Sequence, residues 1–152
     1  MPAGNEETIA TLNTLIECCK DSEFSFRAGA EHLESADLHP LFVGRAEDCR
    51  RAAEELQAQV VALGGEPETS GSATGALQRG WLAARAGVAG YSELGLLDEC
   101  ARSEDNATVC YRMALEQPLP APIKELVVHQ ARDVTLSRNQ IMDLHDRLRA
   151  QI

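Results

Sequence analysis

The stretch LIECCKDSEFSFRAGAE, residues 15–31, decides the fold. Its apolar residues recur at alternating steps of three and four, which is the spacing of one buried face of an α-helix. The position that this face needs between Cys19 and Phe26 is Glu23, a carboxylate in an otherwise apolar seam. The sequence therefore predicts a long core helix with one acidic side chain facing the interior. The apolar members of the seam are Ile9, Leu12, Ile16, Cys19, Phe26, Ala30 and Leu33.

Length and composition favour one helical domain that spans residues 1–152. Aromatic residues make up 4% of the chain and strand-forming residues do not cluster, so helices are favoured. The formal net charge of −10 argues against nucleic acid or an anionic membrane as a partner. No apolar run reaches membrane-spanning length and the first residues are not basic, so we expect a cytoplasmic protein.

Start and stop signals place three further helices after the first. Asn5 is a good N-cap for the first helix, Pro40 suits the first turn of the second, and Gly64 and Gly65 stop it. The segment 64–91 is a long crossover, in which ALQRGWLAARAGVAG, containing Trp81, is predicted to form a short helix. The predicted helices cover about residues 6–35, 40–63, 92–117 and 121–150.

The lengths of the three connections predict how the four helices are arranged. Helices joined by short loops lie antiparallel, whereas a long middle connection carries the chain along the bundle before the third helix. The order short, long, short is typical of the ferritin-like arrangement. We therefore predict an all-α, ferritin-like four-helix bundle made of two helical hairpins joined by the crossover.

An internal repeat supports two equivalent hairpins. When the chain is shifted by 81 residues, the apolar seams superimpose without a gap, and Glu23 falls on Glu104. Each of these glutamates follows a cysteine, Cys19 or Cys100, by four positions. The repeat predicts a duplicated hairpin with pseudo-twofold symmetry and two carboxylates in the core.

One interpretation of the two glutamates is a carboxylate-bridged centre of iron or manganese. Such a centre takes a glutamate from each of two helices and a Glu-x-x-His motif from each of the other two. No Glu-x-x-His occurs in the chain, and Cys49 and Gln130 stand where ligands are expected. A reduced metal site would use Glu23, Glu104, His129 and Asp133, with Asp48 as a further ligand.

The interpretation that we favour is a buried hydrogen-bond network without a cofactor. A buried carboxylate is unfavourable unless it is paired, protonated or bound to a cation. Protonated or proton-sharing glutamates could bond to an amide, a tyrosine hydroxyl or a trapped water. The amide of Gln130 fits this network better than it fits a metal site. The predicted network comprises Glu23, Glu104, Gln130, Tyr111 and Cys49.

The five cysteines are expected to be small buried thiols. Their odd number and the absence of C-x-x-C pairs argue against a disulfide framework and a zinc site. Cys18 and Cys19 are adjacent and could form a redox pair, but they point in directions roughly 100° apart on a helix. The cysteines are Cys18, Cys19, Cys49, Cys100 and Cys110.

Three segments of the chain resemble small bacterial ferritin-like proteins of unknown function. The resemblance spans about residues 7–144, and its most specific part is the crossover LGGEPETSGSATGALQRGW, residues 63–81. The glutamates of that family in the first and third helices match Glu23 and Glu104. The resemblance implies a ferritin-like fold and a bacterial source, but no established activity. The other two segments are TLNTLIECCKDSEFSFRAGAE and LLDECARSEDNATVCYRMAL.

These observations predict a non-catalytic or degenerate bundle that serves as a stress-related or interaction protein. No catalytic residue is expected. The alternative is a metal-binding protein that stores iron, oxidises it or handles peroxide, with Glu23 and Glu104 in its favour. Helices of this length often dimerise, so a homodimer is possible, and the protein partner is left open by the sequence.

Overall fold

The computed structural model describes residues 2–32, 36–71 and 92–151 of the chain. Every regular element in these ranges is a helix: α1 (Pro2–His32), α2 (Leu38–Ala62), α3 (Glu93–Leu115) and α4 (Ala121–Ala150). The predicted short helix in the crossover, with Trp81, lies outside the described residues, as do residues 33–35 at the predicted end of the first helix. The four predicted long helices are confirmed.

The helix boundaries differ from the predicted ones by a few residues, except at the start of α1. That helix begins at Pro2, so Asn5 lies inside its first turns and does not cap it. The chain leaves α2 through Gly64, whose φ of 85° is a conformation that glycine adopts without steric cost. Ser92 caps α3, because its hydroxyl accepts a hydrogen bond from the Gly95 backbone N–H at 3.0 Å.

The four helices form two antiparallel hairpins that meet along α1 and α3. Within the hairpins, α1 packs closely against α2 and α3 against α4, while α2 and α4 make few contacts with each other. The bundle is therefore closed on three sides and open between α2 and α4. Polar side chains at this side, including Arg45, Asp48 and Asp133, keep the two helices from closing over an apolar seam.

Apolar side chains fill the interior in two clusters, one at each end of the bundle. The first cluster includes Leu12, Ile16 and Tyr111, and the second includes Phe26 and Phe42. The rings of Phe26 and Phe42 meet edge to face at 5.5 Å between centroids. Residues 81 positions apart fall in opposite clusters, as in the pairs Ile16–Leu97, Phe42–Ile123 and Val60–Ile141. A duplicated hairpin would produce this exchange, and the duplication itself stays a prediction.

Candidate functional site

The open side of the bundle is a cleft of about 880 Å³ between α2 and α4. Its floor is the inner face of α1 and α3, which brings Cys19, Ser22 and Glu104 into the lining. Its volume lies in the range of 300–1,000 Å³ that is typical of small-molecule sites. The predicted polar residues must therefore be judged by where they lie relative to this cleft.

An ion pair between α2 and α3 lies on the floor of the cleft. Arg45 Nε donates to Glu104 Oε2 at 3.4 Å, and the Glu104 side chain is 0% exposed. The other carboxylate oxygen, Glu104 Oε1, is buried and has no hydrogen-bond partner among the described residues. The terminal nitrogen NH1 of Arg45 lies 3.8 Å from Asp48 Oδ2, beyond hydrogen-bonding distance. The pair is thus joined by a single long hydrogen bond, and half of the carboxylate is unsatisfied.

The environment of Glu104 disfavours its charged form. Burial raises the pKa of the Glu104 carboxyl above its ordinary value of 4.5, while the Arg45 guanidinium and the nearby Ser137 hydroxyl act in the opposite direction. Since burial dominates, the carboxyl depends on cationic or hydrogen-bond-donating neighbours to remain ionised at neutral pH.

Glu23 does not face the core in the way that the seam spacing predicts. Its side chain is 15% exposed and accepts from Arg27 NH2 at 2.7 Å and from Lys20 Nζ at 3.5 Å, both on α1 itself. Ser22 takes the seam position between Cys19 and Phe26, and it is 2% exposed. A helical stripe can advance by three or by four residues at each step. The step of three buries a hydroxyl in place of a charge.

The location of the cations explains why two equivalent glutamates end in different environments. Glu23 has Lys20 and Arg27 on its own helix, whereas the positions 81 residues after these two hold Ala101 and Thr108. Glu104 therefore lacks a cation on its own helix and takes one from α2, namely Arg45. The position equivalent to Arg45 in the second hairpin holds the apolar Leu126.

A hydrogen-bond chain crosses the bundle between α1, α3 and α4, two helical turns along α3 from Glu104. The Tyr111 hydroxyl donates to Gln130 Oε1 at 2.7 Å, and Cys19 Sγ lies 3.3 Å from the same hydroxyl oxygen. Gln130 Nε2 donates to the Ala52 carbonyl at 3.2 Å and to Glu55 Oε1 at 3.3 Å. Because the tyrosine proton is used on Gln130, the Cys19 thiol donates to the tyrosine oxygen. Every polar group in this chain is satisfied.

The predicted network thus divides into two parts. Tyr111 and Gln130 bond to each other, as proposed, but Glu104 pairs with Arg45 and Glu23 lies at the edge of the bundle. Cys49 is buried in the cleft lining near Arg45, and burial raises the pKa of its thiol well above the ordinary 9.0. Burial likewise raises the pKa of the Cys19 thiol to about 11. Both thiols are therefore protonated at neutral pH.

Replacing Tyr111 with phenylalanine is expected to lower the free energy of unfolding by about 1–3 kcal/mol, because it leaves the buried Gln130 oxygen and the Cys19 thiol without their partner. Urea denaturation followed by circular dichroism measures this change. Replacing Thr14, whose hydroxyl bonds only to the Ala10 carbonyl on an exposed part of α1, is the control and should cost much less. An unchanged unfolding midpoint for Tyr111→Phe would contradict the network.

The other residues of the predicted metal site lie apart from Glu104 on the rim of the cleft. His129 and Asp133 are exposed and face each other on α4 at 3.6 Å, one turn apart. Asp48 is half exposed and accepts from Arg51 NH2 at 2.6 Å. Among the described residues no three side chains of His, Cys, Asp or Glu converge on a point that could hold a metal ion.

The donor set of the core does not fit a di-metal centre. Such a centre needs several carboxylate or imidazole ligands around each ion, and their other donors must be oriented by neighbours. Here the core carboxylate faces the guanidinium of Arg45, a fixed cation that would repel a metal ion at this position. Gln130, in the position where the repeat would place a ligand, is engaged by Tyr111, Ala52 and Glu55.

The prediction that all five cysteines are buried thiols was wrong for two of them. Cys18 on α1 and Cys110 on α3 form a disulfide, while Cys19, Cys49 and Cys100 are free and buried. The disulfide links the two hairpins beside the Cys19–Tyr111 contact. The spacing of cysteines in sequence carries no information about which residues of two packed helices lie at one level, so the pairing could not be predicted.

Sequence reasoning missed the partners of the core polar groups. Arg45 belongs to an α2 face that also carries Asp48 and Cys49, and as a lone cation near a predicted core it was a usable signal. Ser22 was available as the other solution of the seam. His145, expected at the surface, is buried and its Nε2 lies 2.5 Å from Asp98 Oδ1, a contact that joins α3 to α4.

Comparison with known proteins gives a family without an assigned activity. The model of a family described as a domain of unknown function, DUF2383, matches residues 7–117. No curated protein sequence matches the chain significantly. In the part of the chain that the structure describes, no helix is both long enough and apolar enough to cross a membrane.

Solved structures with the same fold come from three bacteria. A mutant of Dps1 from Mycobacterium smegmatis is 12% identical with a TM-score of 0.76, covering 94% of this chain and 97% of that one. A bacterioferritin-related protein from Bacteroides fragilis, described as a dodecameric thioferritin, is 19% identical with a TM-score of 0.74, covering 97% and 89%. A ferritin-like, diiron-carboxylate protein from Bacillus anthracis is 22% identical with a TM-score of 0.68, covering 97% and 99%. The similarity is one of fold, and it confirms the predicted ferritin-like four-helix bundle.

Proposed function

The chain belongs to the DUF2383 family, and we propose that it is a non-catalytic ferritin-like bundle that binds a small molecule in the cleft between α2 and α4. In this proposal the interior has lost di-metal chemistry and has kept the polar floor of the bundle as a binding surface. The protein then acts by interaction rather than by turnover.

The observation that carries the proposal is the buried pair of Arg45 and Glu104. A guanidinium next to the core carboxylate supplies the positive charge that a metal ion would supply in a carboxylate-bridged centre. The neighbouring chain of Cys19, Tyr111 and Gln130 leaves no free ligand at the level of Gln130. Both features favour a bundle held together by its own side chains over one built around metal ions.

Location and assembly are further proposals that rest on weaker support. The structures of similar fold come from bacteria, which supports a bacterial source, and the acidic composition suits the cytoplasm without a nucleic-acid partner. The Bacteroides fragilis protein is described as dodecameric, which supports self-association of this chain as a homodimer or a larger assembly. Multi-angle light scattering on the purified chain measures the assembly.

Purified without chelator or histidine tag, the chain is expected to contain iron and manganese only far below one ion per chain. The same result is expected after incubation with ferrous iron under argon, because Arg45 opposes a cation beside Glu104. Inductively coupled plasma mass spectrometry measures the content before and after loading.

The control compares Glu104→Ala with Glu23→Ala, its counterpart 81 residues earlier. If the proposal is right, neither change alters the metal content. Near-stoichiometric iron or manganese that is lost in Glu104→Ala would overturn it and would support the alternative, a protein that stores iron, oxidises it or handles peroxide.

A further inference from the structure

Two buried oxygen atoms without a hydrogen-bond partner line the cleft. Within the described ranges, Glu104 Oε1 and Ser22 Oγ are the buried side-chain nitrogen or oxygen atoms left unsatisfied. Both residues belong to the cleft lining, and both are almost completely buried, at 0% and 2% exposed. Native proteins leave few buried polar groups unpaired. Two of them in one cleft indicate a place where an external molecule supplies the missing partners.

Arg45 adds unused donors next to these oxygens. Of its five N–H groups, Nε is directed to Glu104, and NH1 has a carboxylate only at 3.8 Å. The side chain is 11% exposed and lines the cleft, so its terminal nitrogens can be reached from the open side. A planar guanidinium binds a carboxylate through two parallel hydrogen bonds. The floor therefore presents an acceptor and a pair of donors side by side.

From this juxtaposition we infer that the cleft binds a zwitterionic α-amino acid with an apolar side chain, its ammonium on Glu104 and its carboxylate on Arg45. The inference rests on the proposed function, since it names the ligand of the same cleft. Glu104 and Arg45 are themselves in contact, so their ligands must carry the two opposite charges on neighbouring atoms. The ammonium and carboxylate of an α-amino acid share one carbon atom and meet this requirement.

The charge of the rim excludes a simple anion as the ligand. Acidic side chains outnumber basic ones around the opening, so a carboxylate without an ammonium would be repelled on approach. A net-neutral zwitterion avoids this repulsion and buries no net charge on the floor. The charged residues of the rim are Glu47, Asp48, Glu54, Glu55, Asp133 and Arg51.

The walls of the cleft favour an apolar side chain on the ligand. Leu41 on α2 and Val134 and Ile141 on α4 line the space above the ion pair. An aliphatic or aromatic group placed there would bury apolar surface at the open side of the bundle, where the two helices do not cover each other. The volume of about 880 Å³ admits a side chain as large as that of phenylalanine.

Isothermal titration calorimetry of the full chain with L-leucine and L-phenylalanine tests the inference. Saturable one-to-one binding is expected for at least one of them. Isoamylamine lacks the carboxylate of leucine and 4-methylpentanoate lacks its ammonium, so each should bind about 10- to 100-fold more weakly, which corresponds to the loss of one charged hydrogen-bonding partner. These two compounds test the inference without any change to the protein.

The matched variants are Glu104→Gln and Glu23→Gln, which make the same chemical change at equivalent positions of the two hairpins. Glu104→Gln should weaken leucine binding about 10- to 100-fold, and Glu23→Gln, outside the cleft lining, should leave it unchanged. Circular dichroism establishes that both variants are folded. Ser22→Ala should weaken binding to a smaller extent.

Three results would overturn the inference. They are no saturable binding of either amino acid, as expected if ordered water satisfies the two oxygens; equal binding of isoamylamine; and unchanged affinity in Glu104→Gln. None of these results bears on the metal content of the chain. Failure of the proposed function would instead appear as stoichiometric iron or manganese, so the two failures are distinguishable.

Discussion

Replacing Arg45 with methionine is expected to lower the free energy of unfolding by about 3–5 kcal/mol, the range found when one partner of a buried ion pair is removed. The cause is the remaining Glu104 carboxylate, which is fully buried and has one oxygen unsatisfied even in the native chain. Urea denaturation at neutral pH measures the effect. Arg27→Met, which removes the partner of the more exposed Glu23, is the control and should cost at most about 1 kcal/mol.

The double variant Arg45→Met/Glu104→Gln should recover most of the lost stability, because no uncompensated charge is left in the core. The pH dependence has a defined sign. Burial raises the pKa of Glu104 in the folded chain above the ordinary 4.5, so the folded chain binds the proton more tightly than the unfolded chain. The associated stability is fully present below about pH 4 and is lost as the pH rises through the folded pKa. Arg45→Met should therefore be less damaging in mild acid than at neutral pH. A loss that is small at neutral pH, or not recovered in the double variant, would contradict the ion pair.

Reduction of the disulfide between Cys18 and Cys110 is expected to lower the free energy of unfolding by about 2–4 kcal/mol. The bond closes a loop over a sequence separation of 92 residues and links the two hairpins, so its loss increases the freedom of the unfolded chain. Urea denaturation with and without a phosphine reductant measures the change. The variant Cys18→Ser/Cys110→Ser should not respond to the reductant.

Alkylation followed by mass spectrometry gives an independent measurement of the same bond. In denaturant without reductant, three of the five cysteines should be modified, namely Cys19, Cys49 and Cys100. After reduction all five should react. Five modified cysteines without reductant, together with a reductant-insensitive unfolding curve, would show that α1 and α3 are held by packing alone. A disulfide that forms only after purification would fit the reducing cytoplasm in which we expect the protein.

The contrast between Glu23 and Glu104 links the fold to the proposed function. Both occupy the same position in their hairpins, but only Glu104 is held in the core, where it borders a cleft that reaches the surface. A bundle with two symmetric core carboxylates would resemble a metal centre. With one carboxylate turned outward and the other paired with Arg45, the interior is asymmetric and suits an asymmetric ligand.

The sequence by itself determined the helices and their order. The steps of three and four in residues 9–33 and in the later segments fixed which residues are helical, since this periodicity depends only on the geometry of one helix. Proline and glycine marked the ends of helices for reasons that are equally local. The lengths of the connections then predicted the bundle, and its ferritin-like form was confirmed by the solved structures.

Only the tertiary structure decided which polar groups meet. A seam can be continued through Ser22 or through Glu23, and the choice depends on the cations available around each glutamate. Arg45 reaches Glu104 from another helix, Cys18 meets Cys110 across 92 residues, and Tyr111 bonds to Gln130 on α4. Each of these contacts depends on the axial level and rotation of two packed helices. Apolar periodicity does not specify either quantity, because sliding one helix along another by a turn leaves the same stripes in contact.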